Sequence, residues 1–125
     1  MSEKKWRILI VEDDNFLREA MNEKLSKEGF NSFVAINGKE GLEMALQKHP
    51  DLILLDIMMP VMDGIEMLKK LREDNWGKNV LVAMLSNSDD ESKIKEALEM
   101  GAVDYMIKSD ILLEDVIKKI MSYLK

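Results

Sequence analysis

The residues able to hold or transfer a charged group fall at four places along the chain. Asp56 ends the apolar run Leu52 to Leu55, and Glu12, Asp13 and Asp14 follow the run Arg7 to Val11. Ser86 follows Val80 to Leu85, and Lys108 follows Tyr105 to Ile107. Aspartate is a poor strand former and costly to bury, so a carboxylate where a core strand ends suggests a group presented for chemistry; a loop cap is the plainer alternative. Carboxylates converging on one edge raise one another's pKa unless a cation neutralises them. Oxygen donors without His or Cys suit a hard ion, and few ligands with room for water suit Mg2+ better than Ca2+. A lysine and a hydroxyl facing the same spot add a cation and a donor for phosphoryl oxygens. The set describes a place where Asp56 attacks a phosphoryl group and is left as an acyl phosphate.

Five strand-then-helix units would have to position these groups. The strands are expected at Arg7 to Val11, Ser32 to Ile36, Leu52 to Leu55, Val80 to Leu85 and Tyr105 to Ile107, all short and apolar. Between them, Leu17, Ala20, Met21 and Leu25 follow helical spacing over Phe16 to Glu28, and Gly29 supplies a stop. Asn37-Gly38 reads as a turn, and the helix carrying Leu42, Ala45 and Leu46 must end near His49, before Pro50. Asp63 to Glu66 and Ser88 to Glu91 both have capping-box spacing, which makes Asp63 a cap. The last helix places Leu113, Ile117, Ile120 and Leu124 on one face. Buried strands alternating with helices imply an α/β fold, a single five-stranded parallel sheet with helices on both faces. Ligands of such sheets bind at the C-terminal edge, beside the point where strand order reverses.

Composition narrows the class further. At 125 residues the chain is expected to be one domain, 1–125, with no output domain attached, and it has no cysteine for disulfides or thiolate metal sites. The start MSEKKW lacks the order of a signal peptide and no apolar run approaches a membrane span, so a soluble, cytoplasmic protein is expected. A net charge of −6 with mixed signs argues against direct contact with nucleic acid. The eleven methionines fall mostly at core-like positions and read as adaptable packing.

From ILIVEDD through LLDIMMPVMDG and Ser86 to YMIK, the chain resembles the receiver domains of two-component response regulators over essentially its whole length. The resemblance implies the flavodoxin-like strand order 2-1-3-4-5 and a phosphorylation-dependent signalling switch, not an enzyme, although one that assists its own phosphorylation and dephosphorylation. It implies that Asp56 is the phosphoacceptor and that a histidine kinase or phosphotransfer protein is the donor. Asp13, Asp56 and the backbone carbonyl of Met58 would hold Mg2+, with Glu12 acting through a water. Ser86 and Lys108 would contact phosphoryl oxygens, Tyr105 would turn as Ser86 moves, and the surface of helix 4, strand 5 and helix 5 would be read by a partner protein. A monomer, or a dimer formed on phosphorylation, is expected. Tyr105 equally suits a strand aromatic filling the groove beside the last helix.

Two departures stand out. The family usually has a cis-linked proline after the lysine, whereas Ser109 follows Lys108 here; a cis bond before a non-proline residue costs about 2.5–4 kcal/mol, so trans is expected. Asn87 stands where the family mostly has a small residue beside the site, and would either narrow access or add a hydrogen bond. Met58 offers no group to orient an attacking water, so slow self-dephosphorylation is expected. The main alternative is a receiver-like interaction module that works without phosphorylation. A haloacid dehalogenase phosphatase would want an aspartate at Met58, and a flavodoxin would not place three acids against its phosphate. Gly38-Lys39 lacks the earlier glycine and the following Ser or Thr of a phosphate loop. His49 is expected in a capping or dipole role, and Trp6 and Trp76 at the edges of the core.

Overall fold

In a computed structural model, which describes residues 5–124, five parallel strands form one sheet. They are β1 (Arg7–Val11), β2 (Asn31–Ala35), β3 (Leu52–Leu55), β4 (Leu81–Ser86) and β5 (Asp104–Ile107), in the order β2-β1-β3-β4-β5. Helices α1 (Asn15–Lys27), α2 (Gly38–Lys48), α3 (Gly64–Arg72), α4 (Glu91–Glu99) and α5 (Leu113–Leu124) form the crossovers. Alternation along each strand divides the core. Leu9, Val11, Ile53, Leu55, Val82 and Met84 pack with residues of α2, α3 and α4. Ile8, Ile10, Leu52, Leu54, Ala83 and Leu85 face α1 and α5. The apolar runs are therefore continuous because both faces of the central strands are covered.

Register sets the functional edge. Val11 pairs with Leu55, Leu55 with Met84, and Ser86 with Ile107. The residues that follow Val11 and Leu55 are Glu12 and Asp56, so the pairing itself makes those two acids neighbours. The sheet order reverses about β1 and β3, and both acids stand at that switch point.

Local signals differ from expectation in a few places. Asn37 is the N-cap of α2, its side chain accepting from Glu40 N–H, and Gly38 is the first helical residue, not part of a turn. The N-cap of α4 is Asp90, which accepts from Ser92 N–H; Ser88 belongs to the loop before it. Asp14 caps α1, accepting from Leu17 N–H. His49 caps the end of α2 in the left-handed region at φ 47, donating to the Ala45 carbonyl, as expected; its ring also stacks on Trp76 at 4.2 Å. Trp76 and Trp6 each lie half-buried against a core cluster. Among the described residues no helix is long and apolar enough to cross a membrane.

Candidate functional site

The C-terminal edge gathers the predicted groups. Glu12 is 2% and Asp56 4% exposed, Ser86 is fully buried, and Asp13 is exposed beside them. Burial of a carboxylate demands partners, and each of the two buried acids has them. Asp56 Oδ1 accepts from Ile57 N–H at 2.7 Å, and Lys108 Nζ donates to Asp56 Oδ2 at 3.0 Å. The same ammonium lies 2.6 Å from Glu12 Oε1, while Glu12 Oε2 accepts from Asp14 N–H at 3.1 Å. Lys108 thus reaches the site without the proline: no described peptide bond is cis, and Lys108–Asp110 form one 3-10 turn after β5.

One cation serves two buried carboxylates, and the electrostatics follow from that count. Burial is the largest influence on Glu12 and pushes its carboxyl up to about 7, although Lys108 and the Asp14 amide pull it down. Burial pulls the Lys108 ammonium down, but its bonds to Glu12 and Asp56 outweigh this and leave it above its ordinary value. Lys108 is therefore held charged. One oxygen from each of Glu12, Asp13 and Asp56 lies within 4.8 Å of the others. Three hard oxygen donors, one of them exposed and open to water, fit Mg2+.

The β3–α3 loop closes the site from one side, and a glycine makes that possible. Gly64 N–H donates to the Ile57 carbonyl at 2.8 Å, and a Cβ on Gly64 would meet the Asp56 carbonyl oxygen at 1.9 Å. Only glycine allows that approach. Val61, in the same loop, is exposed and has φ 70, a conformation that β-branched residues rarely adopt. The other side is a relay of hydrogen bonds. Ser86 Oγ accepts from Ser88 N–H at 3.3 Å, and Tyr105 Oη donates to the Ser88 carbonyl at 2.8 Å. Asn87, next in the chain after Ser86, is exposed.

Three contributors carry no sequence signal that would mark them. Arg18, 7% exposed, donates to the Glu12 carbonyl at 3.0 Å and fixes the backbone of an acid. Lys93 of α4 lies 3.6 Å from the Met58 sulfur. Gly64 was legible as part of a cap, but its contact with Asp56 depends on how α3 turns back. Met58 itself is 59% exposed.

The family model described as "Response regulator receiver domain" matches residues 8–120. The chain belongs to the response regulator receiver domains. It is 36% identical over 115 residues to sporulation initiation phosphotransferase F of Bacillus subtilis (strain 168), covering 90% of this receiver and 91% of that protein. It is also 36% identical over 119 residues to response regulator MprA of Mycobacterium leprae (strain TN), covering 95% of this receiver and 51% of that protein. The receiver therefore spans about half the length of the MprA relatives it matches. The CheY-like receiver domain protein of Methanospirillum hungatei JF-1 superposes with a TM-score of 0.89 at 29% identity, covering 97% of this receiver and 94% of that chain. A chain of the CheX-CheY-BeF3-Mg2+ complex of Borrelia burgdorferi gives 0.86 at 31% identity, covering 96% and 90%. Receiver domains are signalling switches of two-component systems, bind Mg2+ at an acidic pocket and interact with histidine kinases or phosphotransfer proteins.

Proposed function

We propose that this receiver is a phosphorylation-dependent switch in which Asp56 accepts a phosphoryl group from a histidine kinase or phosphotransfer protein. The observation that carries the reading is the environment of Asp56: a buried carboxylate held by Lys108 and its neighbouring amide, within reach of two further acids. A carboxylate oxygen of Asp56 attacks phosphorus as the donor's bond to it breaks, which leaves an acyl phosphate on Asp56. Lys108, already charged, turns one bond toward a phosphoryl oxygen. Ser86 offers its hydroxyl to another.

Asp13, Asp56 and the Met58 carbonyl would hold Mg2+, with Glu12 reaching it through a water. When bound, Mg2+ supplies charge neutralisation between the acids and the phosphoryl oxygens. The Ser86–Ser88–Tyr105 relay supports a switch role for Tyr105, because drawing Ser86 toward a phosphoryl group competes with the Ser88 amide and frees the loop that Tyr105 holds. A partner would then read the surface of α4, β5 and α5.

The test is incubation with acetyl phosphate and Mg2+, followed by intact mass. Wild type should gain one phosphoryl group, dependent on Mg2+ and lost in chelator, and Asp56→Asn should gain none. Failure of wild type to gain it would make a phosphorylation-independent interaction module the better reading.

A further inference from the structure

Among the described residues every methionine other than Met58 is buried or half-buried, whereas Met58 is 59% exposed. It stands two residues beyond Asp56, and Lys93 Nζ approaches its sulfur at 3.6 Å. A thioether is a weak acceptor, so this ammonium is poorly matched. Oxidation to the sulfoxide would put a strong, polar acceptor at the same spot.

We propose that Met58 is an oxidation-sensitive modification site, and that its sulfoxide, held by Lys93, shortens the life of the phosphoryl group on Asp56. The second half rests on the phosphoacceptor reading above. The oxidant is a hydroperoxide. Its terminal oxygen passes to the Met58 sulfur, so that the S–O bond forms as the O–O bond breaks and sulfur gives up two electrons. The proton of the transferred oxygen moves to the departing one, which leaves as water or an alcohol. In the thioether form Met58 gives a water near Asp56 nothing to orient on. The sulfoxide oxygen has lone pairs for two donors: one takes Lys93 and the other a water at the rim of the site. Lys93 acts here as a positioning residue, tying the β3–α3 loop to α4 through the new oxygen.

The experiment treats the intact chain with hydrogen peroxide and maps oxygen uptake by tandem mass spectrometry, which separates Met58 from the half-buried Met59. Met58 should take up oxygen ahead of every other described methionine; equal or faster uptake elsewhere among them overturns the site. Treated and untreated protein are then labelled with acetyl phosphate and Mg2+. Treated wild type should lose label severalfold faster, and a methionine sulfoxide reductase should restore the original rate. Met58→Leu, compared only with itself, should show no change on treatment, and Lys93→Ala should show a smaller one than wild type. Unchanged or slower loss in treated wild type, or the same acceleration in treated Met58→Leu, overturns the proposal. If no wild-type sample takes label, the phosphoacceptor reading fails and the effect on lifetime falls with it, while the oxidation map decides the site independently.

Discussion

Replacing Lys108 with methionine keeps the apolar length of the side chain and deletes the ammonium that lies 2.6 Å from Glu12 and 3.0 Å from Asp56. Two hydrogen bonds to charged groups at about 1.5–3 kcal/mol each, or one broken buried ion pair at about 3–5 kcal/mol, give overlapping ranges that share a lower end of about 3 kcal/mol. The lower end applies, because Glu12 can shed its charge. Its carboxyl already lies at about 7 with Lys108 present, and removing that lowering influence moves it higher. A folded-state pKa above the ordinary 4.5 means that the native state keeps a proton the unfolded chain has released. The variant's extra instability is therefore smallest below the unfolded value and grows as pH rises through the folded one. Urea unfolding in chelator should show a loss of about 3 kcal/mol near pH 8, shrinking to about 1 kcal/mol near pH 5, at constant m. Mg2+ should restore part of the difference, since the acids remain and binding favours the native state. A variant within about 0.5 kcal/mol of wild type near pH 8, or one more destabilised at the lower pH, would refute the single-cation account.

Two further outcomes follow from neighbouring contacts. Gly64→Ala forces its Cβ against the Asp56 carbonyl at 1.9 Å and the Ile57 Cα at 3.0 Å, both backbone. Thermal melts should show a loss of about 1–3 kcal/mol, and the surviving folded protein should take up phosphoryl label more slowly than wild type. Burial, then the hydrogen bond to and charge of Asp104, pushes the Tyr123 hydroxyl up to about 12 from 10.0. Stability from that proton is present below the unfolded value and is lost as pH rises through the folded one, so the fall in melting temperature from about pH 9 to about pH 12 should be smaller in Tyr123→Phe than in wild type. An equal fall in the two proteins would show that the bond to Asp104 does not survive in solution.

The site was legible because Glu12, Asp56, Ser86 and Lys108 each follow a short apolar run directly, and parallel strands bring all their ends to one edge. Glu12 and Asp56 become neighbours through the pairing of Val11 with Leu55 alone. The strand order itself came from family resemblance, since five equivalent βα units permit several orders. The sequence leaves the start of α4 ambiguous because Ser88 and Asp90 are both good caps. Asp90 prevails where the Ser88 backbone is already committed, its amide to Ser86 and its carbonyl to Tyr105. Arg18 and Lys93 were invisible for a different reason. Long, charged side chains on helices have no period that reveals which neighbouring loop they reach.

The attachment of α4 shows where a change at Asp56 would be felt. α4 buries only Ala97 fully, whereas α3 buries Met67, Leu68 and Leu71, and α5 buries Val116, Ile117, Ile120 and Leu124. At about 25 cal/mol per Å² of apolar surface, α4 is the more weakly held helix. Its two ends are fastened differently. At the C-terminal end, Arg72 Nε donates to the Met100 carbonyl at 2.7 Å, Nη2 donates to that of Gly101 at 3.3 Å, and Nη1 donates to those of Gly77 and Val80. At the N-terminal end, the ties are Tyr105 on the Ser88 carbonyl and Lys93 against Met58, and both lead to the site. A phosphoryl group that draws Ser86 away loosens the Ser88–Tyr105 tie and leaves the Arg72 bonds intact, so α4 should pivot about its C-terminal end. Hydrogen exchange on phosphorylation should then speed up in the loop from Asn87 and the first turn of α4, with little change near Met100. Equal acceleration along the whole helix would mean that Arg72 does not pin it.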